Sequence, residues 1–281
     1  MGSQRTFVFS RAPSRTEWGS RLLLAAPLVV LLLAAGVQAV RLPALTMLVV
    51  GLVVLRLTRR PVADAWAACV PIAVSLAWGI GGQPSDASDG SDCANPLSPP
   101  ATWRLAEAVL VLAAVGLVGR AIGSSRRELG LRAPAGWLGP ASIVGFAVLA
   151  PAGLLLGAWL AGPFFGSFQL DVSQPAAIVP ALVFALANGT TEELAYRGAM
   201  IGWLGRVVDF RVALVAQAVV FGVAHAGPGY VGSPLPVMAA MAAGGLLAGL
   251  IVHRTGSLLP VVLLHAALDL PLYYYFACRA S

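Results

Sequence analysis

The chain has 281 residues, of which 58% are hydrophobic and only 11% charged, with a mean hydropathy of +0.84. That composition excludes a soluble globular domain and places the chain in lipid, because its apolar stretches come in bilayer-length units. The net charge of +6 comes from 18 basic residues, all Arg, that fall between apolar segments; this is a topological pattern rather than a nucleic-acid footprint.

In chain order, the first span is expected from about Leu22 to Val40, and the second, Leu42 to Leu55, is closed by Arg56, Arg59 and Arg60. The third covers Val62 to Ile80, followed by a Gly-, Ser-, Pro- and Asp-rich loop from Gly81 to Thr102. The fourth spans Leu105 to Val118, the fifth Leu138 to Leu160, and the sixth Ala177 to Leu204. Val212 to Ala226, Leu235 to Val252 and Leu258 to Phe276 complete the set. The expectation is an all-α polytopic membrane protein of eight to nine transmembrane helices, with no β-sheet and no internal repeat.

Fourteen arginines fall on one side of these spans and three, Arg41, Arg104 and Arg279, on the other. The positive-inside rule then predicts a multi-pass plasma-membrane protein with a cytoplasmic N-terminus and the acidic loop of Asp86, Asp89 and Asp92 outside. The complete absence of Lys suggests a GC-rich bacterial genome. The N-terminal region is too polar and the first apolar run too long for a cleavable signal peptide. Met1-Gly2 with Thr6 fits a myristoylation pattern and Cys278 a prenylation box, but Arg279 stands where an aliphatic residue belongs. Cys69, Cys93 and Cys278 have no regular spacing, which argues against a disulfide framework or a thiolate zinc site.

The chemistry lies in the later spans. Glu192 and Glu193 interrupt an apolar stretch, and Arg197 follows four residues later on the face of Glu193. Ionisable groups at membrane depth are costly, so they mark function by default. A two-point carboxylate–guanidinium bond from Glu193 to Arg197 would neutralise both and leave Glu192 to point elsewhere. His225 shares a helix face with Phe221, which taken alone reads as an ordinary apolar residue, and His265 shares one with Asp269. Asp269 also precedes Leu270-Pro271, so its bland reading is a cap for backbone groups loosened by proline. A free carboxylate and two histidines from three helices can deprotonate a water and stabilise an oxyanion. The same residues suit a structural staple or a proton relay. His253, beside Arg254 at a span end, reads as interfacial.

Glu192-Glu193-Leu194-Ala195-Tyr196-Arg197 resembles the E-E-x-x-x-R motif of the CAAX-protease and bacteriocin-processing family, the intramembrane glutamic endopeptidases also called Abi proteins. Phe221 to His225 resembles its F-x-x-x-H motif, and His265 to Asp269 its H-x-x-x-[N/D] motif, in the family's order. The resemblance reaches from about Leu129 to Phe276 and divides the chain into N-terminal helices of unassigned role, 1–120, and a protease-like core, 121–281. It implies Glu192 as general base with His225, His265 and Asp269 on the oxyanion side, and Glu193 with Arg197 holding geometry. Relatives acting on prenylated proteins carry Asn at the position of Asp269, so this carboxylate is expected either to be protonated or to orient His265.

The resemblance also implies no cofactor and no metal. Zinc would require His225, His265 and Glu192 to converge, because the one-helix H-E-x-x-H spacing is missing. The expected activity is hydrolysis of a peptide bond in a membrane-associated protein or peptide. Peptide precursors, toxins or signalling proteins entering from the bilayer suit a bacterium better than prenylated proteins. Two alternatives stand beside it: a noncatalytic membrane-protein partner or immunity-type protein, and a proton- or ion-coupled transporter.

Overall fold

The computed structural model describes residues 15–79, 93–134, 136–165, 175–226 and 234–277. The fold is helical throughout these residues, with no strand among them. The helices are α1 (Arg15–Gly36), α2 (Arg41–Leu57), α3 (Ala63–Trp78), α4 (Pro99–Ile122), α5 (Leu138–Phe165), α6 (Ile178–Glu192), α7 (Ile201–Leu204), α8 (Phe210–Ala224), α9 (Pro234–Thr255) and α10 (Leu259–Ala277). A π-helical stretch, Glu193–Met200, joins α6 to α7 in one continuous rod.

By length and apolarity five helical segments qualify to cross a membrane: Gly19–Gly36, Gln38–Leu57, Pro99–Ile122, Pro234–Thr255 and Leu259–Ala277. Ala63–Trp78 and Phe210–Ala224 are apolar but shorter. Large apolar side chains such as Leu33, Val53, Leu117 and Val148 face outward, as a lipid-solvated surface requires. The myristoylation and prenylation matches at Gly2 and Cys278 lie outside the described residues. One expectation is corrected: Cys93 is disulfide-bonded, although the spacing of the cysteines argued against such bonds, while Cys69 is buried and free. Spacing carries no information about which loops meet; Cys93 is brought to the α10 end, where its carbonyl accepts a hydrogen bond from the Tyr273 hydroxyl at 2.9 Å.

Where hydrophobic burial cannot distinguish helix from lipid, close packing must hold the bundle together, and small residues make that packing. A side chain at Gly189 would press on the backbone of α10, at the Val262 carbonyl (3.1 Å) and Ala266 nitrogen (3.3 Å), so glycine lets α6 and α10 approach. Gly222 does the same between α8 and α9, where a Cβ would lie 2.5 Å from the Met238 carbonyl. Gly245 and Gly249, one turn apart on α9, complete that seam against Ala218 and Leu214. The N-terminal helices belong to the same body: α4 packs on α6, α1 on α8, and α3 on the π-helical stretch and α7. One buried cluster accordingly contains Leu48 and Ile72 together with Met200, Trp203 and Phe221.

Arg206, just after α7, ties these parts together. It bonds Glu128 (2.8 Å), Asp64 (3.4 Å) and the Ile122 carbonyl (3.1 Å), while the Trp203 indole donates to the Ser124 hydroxyl (2.7 Å). The hydrogen bond from Arg206 holds the Glu128 carboxyl well below its ordinary 4.5, at about 2, helped by the Ser125 amide against a smaller opposing effect of burial. A carboxylate with a lowered folded-state pKa stabilises the fold above its unfolded pKa and loses that contribution as pH falls through the folded value. In detergent-solubilised protein, Arg206→Ala is therefore expected to cost about 1 kcal/mol at neutral pH, a surface-exposed network being worth no more. Thermal unfolding should show the gap between wild type and variant narrowing as pH falls from 4.5 towards about 2.

Candidate active site

The rod of α6, the π-helical stretch and α7 carries both glutamates, with Glu192 ending the α-helical part and Glu193 opening the π-helical one. A π-helical turn is uncommon and concentrates at functional positions, because it re-aims side chains without ending the helix. Here tight packing accompanies it: side chains at Gly198 and Gly202 would meet the Leu129 and Glu128 carbonyls at 3.1 and 2.6 Å.

The structure brings the three motifs to one place. Glu192 Oε2 lies 4.0 Å from Nε2 of His225, the residue that caps the C-terminus of α8, and 3.6 Å from His265 Nε2 on α10. All three side chains are half-buried. The 4.0 Å span is too long for a direct hydrogen bond and suits one bridging water with two ordinary hydrogen bonds.

Both imidazoles are oriented through Nδ1. His225 Nδ1 lies 2.7 Å from the Phe221 carbonyl, an oxygen that only accepts, so this nitrogen carries the proton and Nε2 faces Glu192. His265 Nδ1 lies 2.7 Å from Glu193 Oε1 and donates to it. Glu193 therefore does more than pair with Arg197, and its Oε1 is shared between the Arg197 guanidinium and the His265 imidazole. The ion pair to Arg197 Nη1 measures 3.1 Å but is off the hydrogen-bonding angle, and Arg197 Nε and Nη1 have no hydrogen-bond partner. The expected two-point carboxylate–guanidinium bond is not formed, because Oε1 is already turned towards His265 and Arg197 lies over an aromatic ring instead.

That ring is Phe221, with the guanidinium carbon 4.2 Å from its centroid. Tyr196 meets the same ring edge-on at 5.0 Å, and the His225 ring lies 4.5 Å away. Phe221 thus carries Arg197 on its face and anchors His225 through its carbonyl; the apolar reading of this residue missed both. Its signal in the sequence was the four-residue spacing to His225, which makes its carbonyl the natural acceptor for the ring.

Asp269 is buried, one turn beyond His265, with Oδ2 3.4 Å from His265 Nε2. It does not orient the ring through Nδ1, since Glu193 holds that nitrogen. Nor does it serve the backbone near Pro271: its Oδ2 accepts a 2.8 Å hydrogen bond from the side-chain amide of Asn188. Sequence reasoning missed Asn188, which sits four residues before Glu192 on the same face of α6. It also missed the pair within α4, where Arg104 bonds buried Glu107 at 2.6 Å and Glu107 accepts the Ser75 hydroxyl at 2.6 Å. In the sequence Arg104 reads only as one of the three arginines on the outer side of the spans. His253 stacks on Phe210 at 3.9 Å, away from the cluster. Among the described residues no group of three or more His, Cys, Asp or Glu side chains is arranged to hold a metal ion.

Residues 174–271 match the family model for Rce1-like proteins, type II CAAX prenyl endopeptidases. Over this segment the chain is similar to the CAAX-protease and bacteriocin-processing family. The family segment starts just ahead of α6 and ends within α10, so it contains all six residues singled out from the sequence and Asn188 as well. Neither a curated protein nor a solved structure matches the chain.

The packing assigns Phe221 a measurable share of this segment's stability. Phe221→Leu keeps an apolar side chain but removes the ring under Arg197, leaving a buried cation without its aromatic face. The expected loss is about 1–2 kcal/mol, read as a lower melting temperature in detergent. Melting indistinguishable from wild type would mean that the guanidinium is supported without the ring.

Proposed function

We propose that the protein is an intramembrane endopeptidase that hydrolyses a peptide bond in a membrane-associated protein or peptide through a water activated by Glu192 and His225. The match of residues 174–271 to the Rce1-like family model supports a protease-like activity. The observation that carries the finer reading is the approach of His225 Nε2 and His265 Nε2, from two other parts of the bundle, to within 4.0 Å of Glu192 Oε2.

In this scheme Glu192 accepts a proton from water while His225 Nε2, the unprotonated nitrogen, holds the same water by its second hydrogen. The hydroxide so formed attacks the scissile carbonyl, whose oxygen becomes an alkoxide. His265, with Nδ1–H committed to Glu193, faces that oxygen with an Nε2–H when the ring is protonated, a donor expected to supply a few kcal/mol. Collapse of the intermediate breaks the C–N bond, and Glu192 returns its proton to the leaving amine. Glu193 and Arg197 hold His265 and the π-helical turn in place. The chemistry belongs to residues 121–281, against which the helices of 1–120 pack as a buttress. The arginine distribution supports a plasma-membrane setting with a cytoplasmic N-terminus.

The test uses the full chain in lipid nanodiscs, incubated with membrane-protein extract and read by mass spectrometry of new peptide termini. Glu192→Gln should lower the yield by at least about a hundredfold, the usual contribution of general-base catalysis, and His225→Ala and His265→Ala should each lower it strongly. Termini that survive chelators are expected for the metal-free scheme. Loss with chelator and recovery with zinc would replace it by a metal centre on the same three side chains. If all three variants match wild type, the protein works by binding.

A further inference from the structure

Asp269 has two polar neighbours with opposite demands. Its Oδ2 lies 3.4 Å from His265 Nε2, a distance that a small side-chain rotation would close to a direct hydrogen bond. Such a bond would occupy the nitrogen that also faces Glu192 at 3.6 Å. The Asn188 amide holds the same Oδ2 at 2.8 Å from the other side.

Asn188 is 6% exposed, and its Oδ1 is buried without a hydrogen-bond partner. An apolar residue of that size would avoid this desolvation cost, so the site gains nothing from Asn188 except what its NH2 group does. The backbone is built for the contact. Gly189 lets α6 and α10 run close together, and the two antiparallel helices then present Asn188 to Asp269 and, one turn along, Glu192 to His265.

We propose that Asn188 is a positioning residue of this site: it tethers the Asp269 carboxylate and so keeps the Nε2 edge of His265 turned towards Glu192 and the reacting carbonyl. The proposal rests on the reading of the cluster as a hydrolytic site, but its test does not need a substrate. The full chain, labelled with 15N-histidine in nanodiscs, gives ring-nitrogen resonances whose His265 pair is identified by its loss in His265→Gln.

Asn188→Leu, close in size and without a donor, is expected to displace the His265 Nε2 resonance at neutral pH. In an Asp269→Asn background the same substitution should leave that resonance where Asp269→Asn alone puts it, because an effect routed through Asp269 is non-additive. Asn188→Ser is taken through the same cycle in case leucine is not accommodated, with an unshifted His225 resonance marking a folded site. No displacement in either variant, or equal displacement in both backgrounds, overturns the proposal. On any substrate that the cleavage assay yields, kcat should fall about tenfold with KM unchanged, as expected for one hydrogen bond to a charged group. A protein that cleaves nothing would sink the protease reading and leave the resonance cycle to decide the role of Asn188.

Discussion

The arrangement of the site depends on one buried carboxylate. Glu193 is 2% exposed, and its Oε1 is held at once by His265 Nδ1 and the Arg197 guanidinium. An uncompensated charge at that depth would cost several kcal/mol, so the partners are obligatory and the geometry of three helices follows from them. His265 on α10 is drawn to the rod, Arg197 is drawn back along it, and Phe221 on α8 is needed under the guanidinium.

With Glu193 occupied, Glu192 is the carboxylate left to face the half-buried space between the histidines. Two adjacent residues of the same type thus acquire different tasks from their environments alone. One is sealed by cation, imidazole and ring; the other has a partly exposed side chain whose Oε2 is turned towards the two histidines. The same logic separates the imidazoles: each has Nδ1 tied to an oxygen acceptor, so Nε2 is the edge offered to the shared space. Fixing the tautomer through the remote nitrogen is a general device for aiming an imidazole.

The helices outside the family segment matter to this site mechanically. Leu129 and Glu128 carbonyls press on Gly198 and Gly202 of the rod, and Arg206 ties that same loop to Asp64 on α3. The π-helical turn therefore sits between a glycine seam to α10 on one side and a clamped loop on the other. In lipid, where burial supplies little association energy, such close packing and polar ties carry the assembly.

The helical architecture and the six polar residues were legible in the sequence because both are written in local patterns: bilayer-length apolar runs, and ionisable groups at helical spacing within them. The order of the three motifs led to the family for the same reason. What the sequence left open was pairing between helices. Asn188 looks like any polar residue near a helix end until α10 brings Asp269 beside it. Arg104 looks like a topological arginine until it is seen to pair with Glu107, which Ser75 holds from α3. The spacing of Glu193 and Arg197 correctly put them on one face, yet only the approach of His265 and Phe221 decided that their contact would be a single shared oxygen rather than a two-point bond. Helical periodicity states which residues share a face; it contains no term for what the facing helix offers, and in a low-dielectric interior the partner chosen there decides each group's role.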